Sequence, residues 1–454
     1  MAVAAIPRSA PATTPRERIE LLCDPGSFAP IRSAAEGPAG RSGDGVVAGL
    51  CRIDGRPVVT YAQDPGWLGG SLGVAHANTL VRALELAARA EAPVVGWVAS
   101  GGARIGEGTA ALDGYARVFR ATVALTGRVP QIALVCGTSA GGACYGPALG
   151  DWVVMTEEAR MFLTGPGVVR EVLGEDVDPV TLGGPRVQGA NGVAHLLADD
   201  ERGAAALARD LLARLEPDPI PPRVPLLEDP SAAVPADPRR VYDVRDALAG
   251  LADRDSLLEW CPRWARSLMC GWVRLEGRSV GVIANQPRYR GGVLDAESAQ
   301  KGADFVTRCN AAGVPLLVLV DTPGFMPGPR QEGAGVIRHG ASLLRAFAEA
   351  TVPKVTVVLR KAYGGAFITM NSRGLGADLA LAWPGAQIGV MGPKAAVDVI
   401  FRREPEEVRA ERALEYAAEH LSADAAGRGG WVDEVVAPGE TRARLALAFD
   451  MLAR

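Results

Sequence analysis

Short continuous runs of apolar, mostly β-branched residues recur along this chain. They cover residues 93–98, 132–135, 314–320 and 354–359. Because these runs do not alternate with polar residues, they predict strands that are buried on both faces of a parallel sheet. Residues 75–90 and 296–312 show a helical spacing of apolar positions between the runs. The pattern predicts an α/β layered fold with ligand sites at strand-to-helix turns.

This pattern occurs twice in the chain. The heptapeptide that begins at Ile53 recurs in related form at Leu275, which is 222 residues later. Further along, the segment that begins at Asp151 has a counterpart at Asp378, which is 227 residues later. The offset drifts by only a few residues, so the sequence predicts two tandem copies of one domain rather than a short-period repeat.

Two glycine pairs stand at corresponding places in the two copies. Gly141-Gly142 and Gly364-Gly365 each follow a β-branched run and lie 223 residues apart. A strand that turns sharply into a helix through such a pair exposes N–H groups at the helix N-terminus, where a negative oxygen is favoured. Close backbone packing is the alternative reason for a glycine pair. Because the pair is repeated, we favour two oxyanion holes.

The composition is that of a large globular protein. The 454 residues are 48% hydrophobic and 22% charged, with a formal net charge of −4, so we expect neither a nucleic-acid nor a membrane partner. The seven cysteines form no Cys-x-x-Cys pair and the four histidines have no metal-ligand spacing. We therefore expect a cytoplasmic protein with reduced thiols and no metal.

Proline content marks the domain organisation. Residues 216–238 contain eight prolines among 23 positions and no periodic apolar face. We predict a flexible tail over 1–14, an N-terminal domain over 15–222, a linker over 223–238 and a C-terminal domain over 239–454. The uncharged stretch 129–150 contains Gly-Gly, Pro, Ser and Thr, so we interpret it as a buried strand, a turn and a helix rather than a membrane span.

A series of motifs carries a family resemblance that runs from about residue 15 to the C-terminus. The motifs lie at 100–108, 137–145, 161–166, 285–287, 321–328, 360–366 and 382–384. Their order and spacing resemble the carboxyltransferase β subunit of biotin-dependent acyl-CoA carboxylases. The resemblance implies tandem crotonase-like domains, with layered β-sheets and flanking helices, in a homo-oligomer expected to be a hexamer.

The resemblance also implies which ligands each half binds. In this family the N-terminal domain binds acyl-CoA, the C-terminal domain binds carboxybiotin, and an active site lies between the N-terminal domain of one subunit and the C-terminal domain of another. The implied N–H donors are Gly141 and Gly142 for the thioester oxygen and Gly365 and Ala366 for the biotin ureido oxygen. The implied acyl-CoA contacts are Gly101, Gly102, Ala103, Arg104, Ala140 and Tyr145. The implied biotin and acyl pocket comprises Pro323, Gly324, Phe325, Tyr363, Gly364 and Ile368.

The chain has no Met-Lys-Met biotinylation site and no ATP-grasp pattern. We therefore expect it to act with a separate biotin carboxylase and biotin carrier. The family position of Ile368 is often Asp in propionyl-preferring members, so an apolar residue implies tolerance of short and medium acyl chains. A decarboxylase or transcarboxylase subunit acting on a malonyl-type CoA and a divergent non-catalytic paralogue remain alternatives. A simple hydratase would need neither the second domain nor the second hole.

Overall fold

A computed structural model of the chain describes residues 14–38, 40–216 and 219–452. The chain divides into two compact units, the first ending at Ala213 and the second beginning at Arg214. Apart from Thr14, the tail predicted over 1–14 lies outside the described residues. Thr14 is the N-cap of the first helix, where its side chain accepts a hydrogen bond from the Glu17 N–H.

The first unit combines an eight-stranded sheet with flanking helices in its described part. Its strands are β1 (Ala29–Ile31), β2 (Val46–Ile53), β3 (Arg56–Gln63), β4 (Val94–Ser100), β5 (Gln131–Ala140), β6 (Trp152–Thr156), β7 (Arg160–Phe162) and β8 (Leu196–Ala198). Its helices are α1 (Pro15–Leu22), α2 (Val74–Ala90), α3 (Thr109–Val123), α4 (Gly142–Leu149), α5 (Pro166–Leu173), α6 (Pro179–Gly183), α7 (Pro185–Ala190) and α8 (Glu201–Arg214).

The second unit has the same kind of sheet and a longer series of helices. Its strands are β9 (Leu258–Trp260), β10 (Leu268–Leu275), β11 (Arg278–Asn285), β12 (Leu316–Thr322), β13 (Lys354–Tyr363), β14 (Leu379–Ala382), β15 (Gln387–Gly389) and β16 (Glu434–Val435). Its helices are α9 (Val244–Leu248), α10 (Ala296–Ala311), α11 (Pro329–Gly333), α12 (Val336–Glu349), α13 (Gly364–Thr369), α14 (Pro393–Ile400), α15 (Glu406–Tyr416), α16 (Ala423–Arg428) and α17 (Pro438–Leu452).

The two sheets have the same topology. The strand order is β1-β2-β3-β4-β5-β6-β8 with β7 beside β5 in the first, and β9-β10-β11-β12-β13-β14-β16 with β15 beside β13 in the second. In each sheet the first three strands pair antiparallel and the later pairs are parallel. The tandem duplication predicted from the sequence offsets is therefore present in the fold.

The predicted strands and helices are confirmed. The four apolar runs lie in β4, β5, β12 and β13, and the two helical patterns are α2 and α10. Every residue of β4 and β12 is buried, as continuous apolar runs in a covered parallel sheet should be. The uncharged stretch 129–150 folds as β5 and α4. None of the helices in the described parts of the chain is long and apolar enough to cross a membrane.

The segment predicted as a linker packs against the second unit. Leu226 donates its N–H to the Ala249 carbonyl at 2.9 Å, and the Arg223 N–H donates to the Asp253 carboxylate at 3.3 Å. Pro230 is buried. These contacts place residues 223–238 with the second unit, while the domain boundaries given above remain predictions.

Candidate active site

Each unit has one sharp strand-to-helix turn at the equivalent place in its sheet. In the first unit, β5 ends at Ala140, Gly141 adopts φ 59°, and α4 begins at Gly142. In the second unit, β13 ends at Tyr363 and Gly364 adopts φ 60°. A side chain at either glycine would be strained at this positive φ, which explains the residue type. The two glycine pairs therefore form the same backbone turn.

The N–H groups of the first turn are not all available to a ligand. Gly141 donates its N–H to the Phe162 carbonyl oxygen at 3.1 Å, as part of the pairing of β5 with β7. The prediction that this N–H faces a ligand oxygen conflicts with that bond. Gly142 and Ala143 lie in the first turn of α4, where N–H groups have no acceptor within the helix. The sequence repeat could have indicated Gly142 and Ala143 as the donors, because they are the counterparts of Gly365 and Ala366 at the 223-residue offset.

Tyr115 forms a wall of the first turn and was missed from the sequence. A Cβ atom added at Gly142 would lie 3.2 Å from the Tyr115 ring, so the ring packs directly against this glycine. Burial raises the pKa of Tyr115 to about 12. Its hydroxyl lies 3.4 Å from the Ser100 hydroxyl oxygen. The spacing of apolar residues on α3 predicts a buried Tyr115, but no local pattern connects it with Gly142.

The loop after β4 lies against the first turn. Gly102 adopts φ 101°, and a Cβ atom there would lie 3.0 Å from the Ala140 carbonyl oxygen. Gly101 donates its N–H to the Gly69 carbonyl at 2.8 Å. Ala103 pairs with Leu72 in an isolated β-bridge. The structure thus brings four predicted acyl-CoA contacts, Gly101, Gly102, Ala103 and Ala140, to one edge of the first sheet.

Arg104 does not extend towards a ligand. Its Nη1 donates to Asp44 at 2.7 Å and to Glu107 at 2.9 Å, while its Nη2 donates to the Ser71 carbonyl at 2.8 Å. The side chain is buried, so its charge is used to join two carboxylates and the loop before α2. The expectation that Arg104 binds acyl-CoA conflicts with this network, because its terminal nitrogens already have partners.

Phe325 lies beside the second turn. A Cβ atom at Gly365 would approach the Phe325 ring only to 3.8 Å, an ordinary van der Waals distance. Gly324 adopts φ 138°, and its carbonyl accepts the Leu294 N–H at 3.1 Å. Phe325 pairs with Leu294 in a bridge equivalent to that between Ala103 and Leu72. The Pro-Gly-Phe motif and the Gly-Gly turn therefore meet at one edge of the second sheet, with Pro323 beginning the motif after β12.

The second turn opens into a cavity of about 740 Å³. Gly364 and Gly365 line it on one side, and Ile368 lies on the same helix with half of its surface exposed. Val390 and Trp431 add apolar surface. Next to this cavity, burial raises the pKa of Tyr363 to about 12, and its hydroxyl donates to the Gln387 side-chain oxygen. In the first unit the position of Ile368 is held by Tyr145, which is also about half exposed.

The described ranges contain no group of three or more His, Cys, Asp or Glu side chains that could hold a metal ion. The ionisable groups that line the large cavity are Tyr416, Glu419, His420 and Arg428. What both turns offer to a ligand is backbone N–H groups, which suit a carbonyl oxygen that gains negative charge.

Comparison with known proteins gives one consistent result. Residues 8–454 match the family described as carboxyl transferase domain. The chain is 43% identical to the propionyl-CoA carboxylase beta chain of Saccharopolyspora erythraea, over 97% of this chain and 87% of that relative. It is 42% identical to the methylmalonyl-CoA carboxyltransferase 12S subunit of Propionibacterium freudenreichii subsp. shermanii, over 97% of this chain and 88% of the relative.

A solved structure of transcarboxylase 12S agrees over nearly the whole length. It superposes with a TM-score of 0.94 at 43% identity, covering 97% of this chain and 90% of that one. The predicted fold of tandem crotonase-like domains is confirmed by this similarity, and so is the prediction of a carboxyltransferase enzyme. The family match covers more than nine-tenths of the sequence. This chain belongs to the carboxyl transferase family, as a β subunit of the acyl-CoA carboxylase type.

Proposed function

We propose that this subunit transfers a carboxyl group between biotin on a separate carrier protein and the α-carbon of a short or medium acyl-CoA. The observation that carries this proposal is the duplicated turn. Two sets of N–H donors occur at equivalent places in two units of one chain, which suits a reaction in which two different carbonyl oxygens must be stabilised in turn.

We assign the first pair of donors to Gly142 and Ala143. Gly141 is excluded by its bond to Phe162, and its role is to give the positive φ that starts the helix. These two N–H groups hold the thioester oxygen of acyl-CoA and stabilise the enolate formed when the α-proton leaves. Gly101, Gly102, Ala103, Ala140 and Tyr145 surround the thioester side in this proposal.

We assign the second pair to Gly365 and Ala366, which hold the ureido oxygen of biotin. The 740 Å³ cavity beside them supports this fit, because its apolar walls suit a compact ring system while the N–H groups donate hydrogen bonds to the oxygen. Biotin, when bound, supplies the carboxyl group and a ring nitrogen that can take the α-proton. The chain therefore needs no carboxylate dyad, and its own residues orient the two oxygens and exclude water.

We further propose that the chains form a homo-oligomer, with a hexamer as the expected form. The 12S structure is described as a hexamer assembly with methylmalonyl-CoA bound. A biotin carboxylase and a biotin carrier are the partners that this reaction requires. The same relative supports a second candidate, in which the subunit works as a transcarboxylase and takes the carboxyl group from a malonyl-type CoA.

The test uses the purified full chain. With malonyl-CoA and free biotin, we expect carboxylated biotin and the decarboxylated CoA ester in equal amounts. With a biotinylated carrier, biotin carboxylase, ATP and labelled bicarbonate, we expect label in propionyl-CoA or acetyl-CoA. Transfer in the first assay without the second would favour the transcarboxylase. Absence of transfer in both would contradict the proposal and leave the non-catalytic alternative.

A further inference from the structure

The two units share an irregularity directly before their Gly-Gly turns. In the first sheet, Val98 pairs with Val135, but the next pair is Ser100 with Ser139. In the second sheet, Val320 pairs with Val358 and the next pair is Thr322 with Ala362. In both cases one residue faces three on the neighbouring strand, so β5 and β13 each contain a two-residue bulge. Bulges near active sites re-aim the chain that follows them.

The residues in the two bulges differ in chemistry. In the first, Ala99 stands opposite Gly137, and a Cβ atom at Gly137 would lie 3.0 Å from that of Ala99. In the second, the equivalent positions hold Asp321 and Arg360, and Arg360 Nε lies 3.0 Å from Asp321 Oδ2. The two side chains are 7% and 0% exposed. The first unit shows that the bulge forms without charge.

A buried ion pair is a weak source of stability, because the cost of removing two charges from water offsets their attraction. Burial raises the pKa of the Asp321 carboxyl and lowers the pKa of Lys361, whose Nζ lies 4.0 Å from Asp321 Oδ1. Both shifts show that the site disfavours charge. A contribution to stability therefore does not explain the cluster of Asp321, Arg360 and Lys361. The chain segment that its two cations bind explains it better.

The two cations of this cluster hold one segment of chain. Arg360 Nη1 lies within hydrogen-bond distance of the carbonyl oxygens of Pro235 at 3.3 Å, Asp237 at 3.1 Å and Arg240 at 2.9 Å. Lys361 Nζ donates to the Pro238 carbonyl at 3.2 Å. These bonds attach the segment 235–240 to the bulge. Arg360 lies only three residues before Tyr363, which is followed by α13 and its N–H groups. No cation occupies the equivalent positions, Gly137 and Thr138, in the first bulge.

We propose that the Asp321–Arg360–Lys361 cluster is a positioning element for the second hole, in which Arg360 and Asp321 fix the bulge and the segment 235–240 so that the N–H groups of Gly365 and Ala366 stay aimed at the biotin side. This inference rests on the proposed function. It assigns Arg360 and Asp321 to the biotin half of the reaction and not to acyl-CoA binding.

The test compares Asp321→Asn, Arg360→Met, Arg360→Lys and the double variant Asp321→Asn/Arg360→Met. The readouts are kcat and KM for biotin in malonyl-CoA-dependent biotin carboxylation, the Kd for malonyl-CoA, and the melting temperature. We expect Arg360→Met and Asp321→Asn to lower kcat about tenfold or more, by analogy with misplaced catalytic groups, and to leave the Kd for malonyl-CoA within twofold. Arg360→Lys should recover part of the rate.

The double variant separates positioning from stability. It removes the charges of Asp321 and Arg360, so it should regain the melting temperature lost by the single variants. It should still be slow, because residues 235–240 lose their three bonds to Arg360 and keep only the bond from Lys361 to the Pro238 carbonyl. Arg18→Met is the matched control, since Arg18 and Glu201 form a similarly buried pair at 2.8 Å in the first unit. It should lower the melting temperature without lowering kcat. Recovery of kcat in the double variant, or wild-type kcat in Arg360→Met, would overturn the inference, and an inactive wild type would instead contradict the proposed function.

Discussion

The turn at Gly141 and the turn at Gly364 have nearly identical φ values, 59° and 60°, but different surroundings. At the first turn, a Cβ atom added at Gly142 would lie 3.2 Å from the Tyr115 ring. At the second turn, a Cβ atom added at Gly365 would lie 3.8 Å from its nearest neighbour, the Phe325 ring. The two units therefore share the same backbone turn, but different side chains pack against it. The N–H donors require a fixed φ and strand register, while the surrounding walls are free to vary with the ligand.

The difference in walls fits the two ligands that we propose. The first turn is packed closely by an aromatic ring, which suits the flat and narrow thioester group. The second opens into the 740 Å³ cavity, which suits a bicyclic ring. The ion cluster before the second turn adds a further contrast, since its counterpart in the first unit, Ala99, Gly137 and Thr138, is uncharged.

The largest effect is expected from a side chain at the more crowded glycine. Gly142→Val places branched carbons against Tyr115 and shifts the first turn of α4. Loss of the donor geometry should lower the rate of malonyl-CoA-dependent biotin carboxylation by about 10²–10³, as for single oxyanion donors. Gly365→Val should also block transfer, through the biotin side. CoA-ester binding by the folded variants, measured by calorimetry, should weaken only in Gly142→Val.

Alanine at the same two positions sharpens the comparison. Gly365→Ala adds a methyl group at ordinary contact distance within α13, so we expect activity close to that of the wild type. Gly142→Ala adds a methyl group that the Tyr115 ring must move to accommodate, so we expect a clear loss. Equal losses in the two alanine variants would show that the difference in packing has no bearing on catalysis.

Much of this fold could be predicted from local patterns. Continuous apolar runs fixed β4 and β12, and the 222-residue offset predicted the second sheet. These features depend on near neighbours in sequence and on periodicity. The glycine turns were predictable for the same reason, because only glycine readily adopts a positive φ after a strand.

The details of the site depend on long-range pairing and were harder to predict. Arg104 was expected near acyl-CoA, but its partner Asp44 lies 60 residues earlier in the chain. Asp321 and Arg360 stand on different strands and meet only because of the bulge in β13. The register of β5 with β7, which commits the Gly141 N–H to Phe162, is likewise invisible in the sequence.

A smaller effect is expected on acyl-chain selectivity, since the expected shared site would bring the acyl group bound at the first turn of one subunit to the second cavity of another, where biotin also binds. Ile368 gives that cavity an apolar wall, and one methylene in such a pocket changes selectivity by about 1–3 kcal/mol. We expect the wild type to accept acetyl-, propionyl- and butyryl-CoA. Ile368→Asp brings water-binding oxygens to the wall and should narrow this range towards propionyl-CoA. The measurement is kcat/KM for the three esters with one carrier.

Tyr145, the counterpart of Ile368 in the first unit, provides the control for this prediction. Tyr145→Phe keeps the ring and should leave the ratio of the three kcat/KM values unchanged. A strong propionyl preference in the wild type that Ile368→Asp does not alter would show that Ile368 does not determine selectivity.

The smallest effect is expected on the pH dependence of stability. It arises from one buried histidine in the first unit. His76 is fully buried on α2, and burial, assisted by the Arg104 charge, lowers its pKa from 6.5 to about 3. Its counterpart at the 222-residue offset is Ser298, which does not titrate in this range. The folded state therefore keeps His76 neutral, so its contribution to stability is complete above pH 6.5 and is lost progressively as the pH falls towards 3.

Between pH 6.5 and 5.5 this loss should amount to about 1 kcal/mol of unfolding free energy, since His76 binds a proton in the unfolded state but not in the folded state. His76→Gln should flatten the pH dependence of the urea midpoint over this interval. The exposed His420, changed to Asn, is the control for replacing a histidine elsewhere in the chain. If the urea midpoint of His76→Gln depends on pH as steeply as that of the wild type, the acid sensitivity arises from other groups. The buried His76 would then make no difference between the two units.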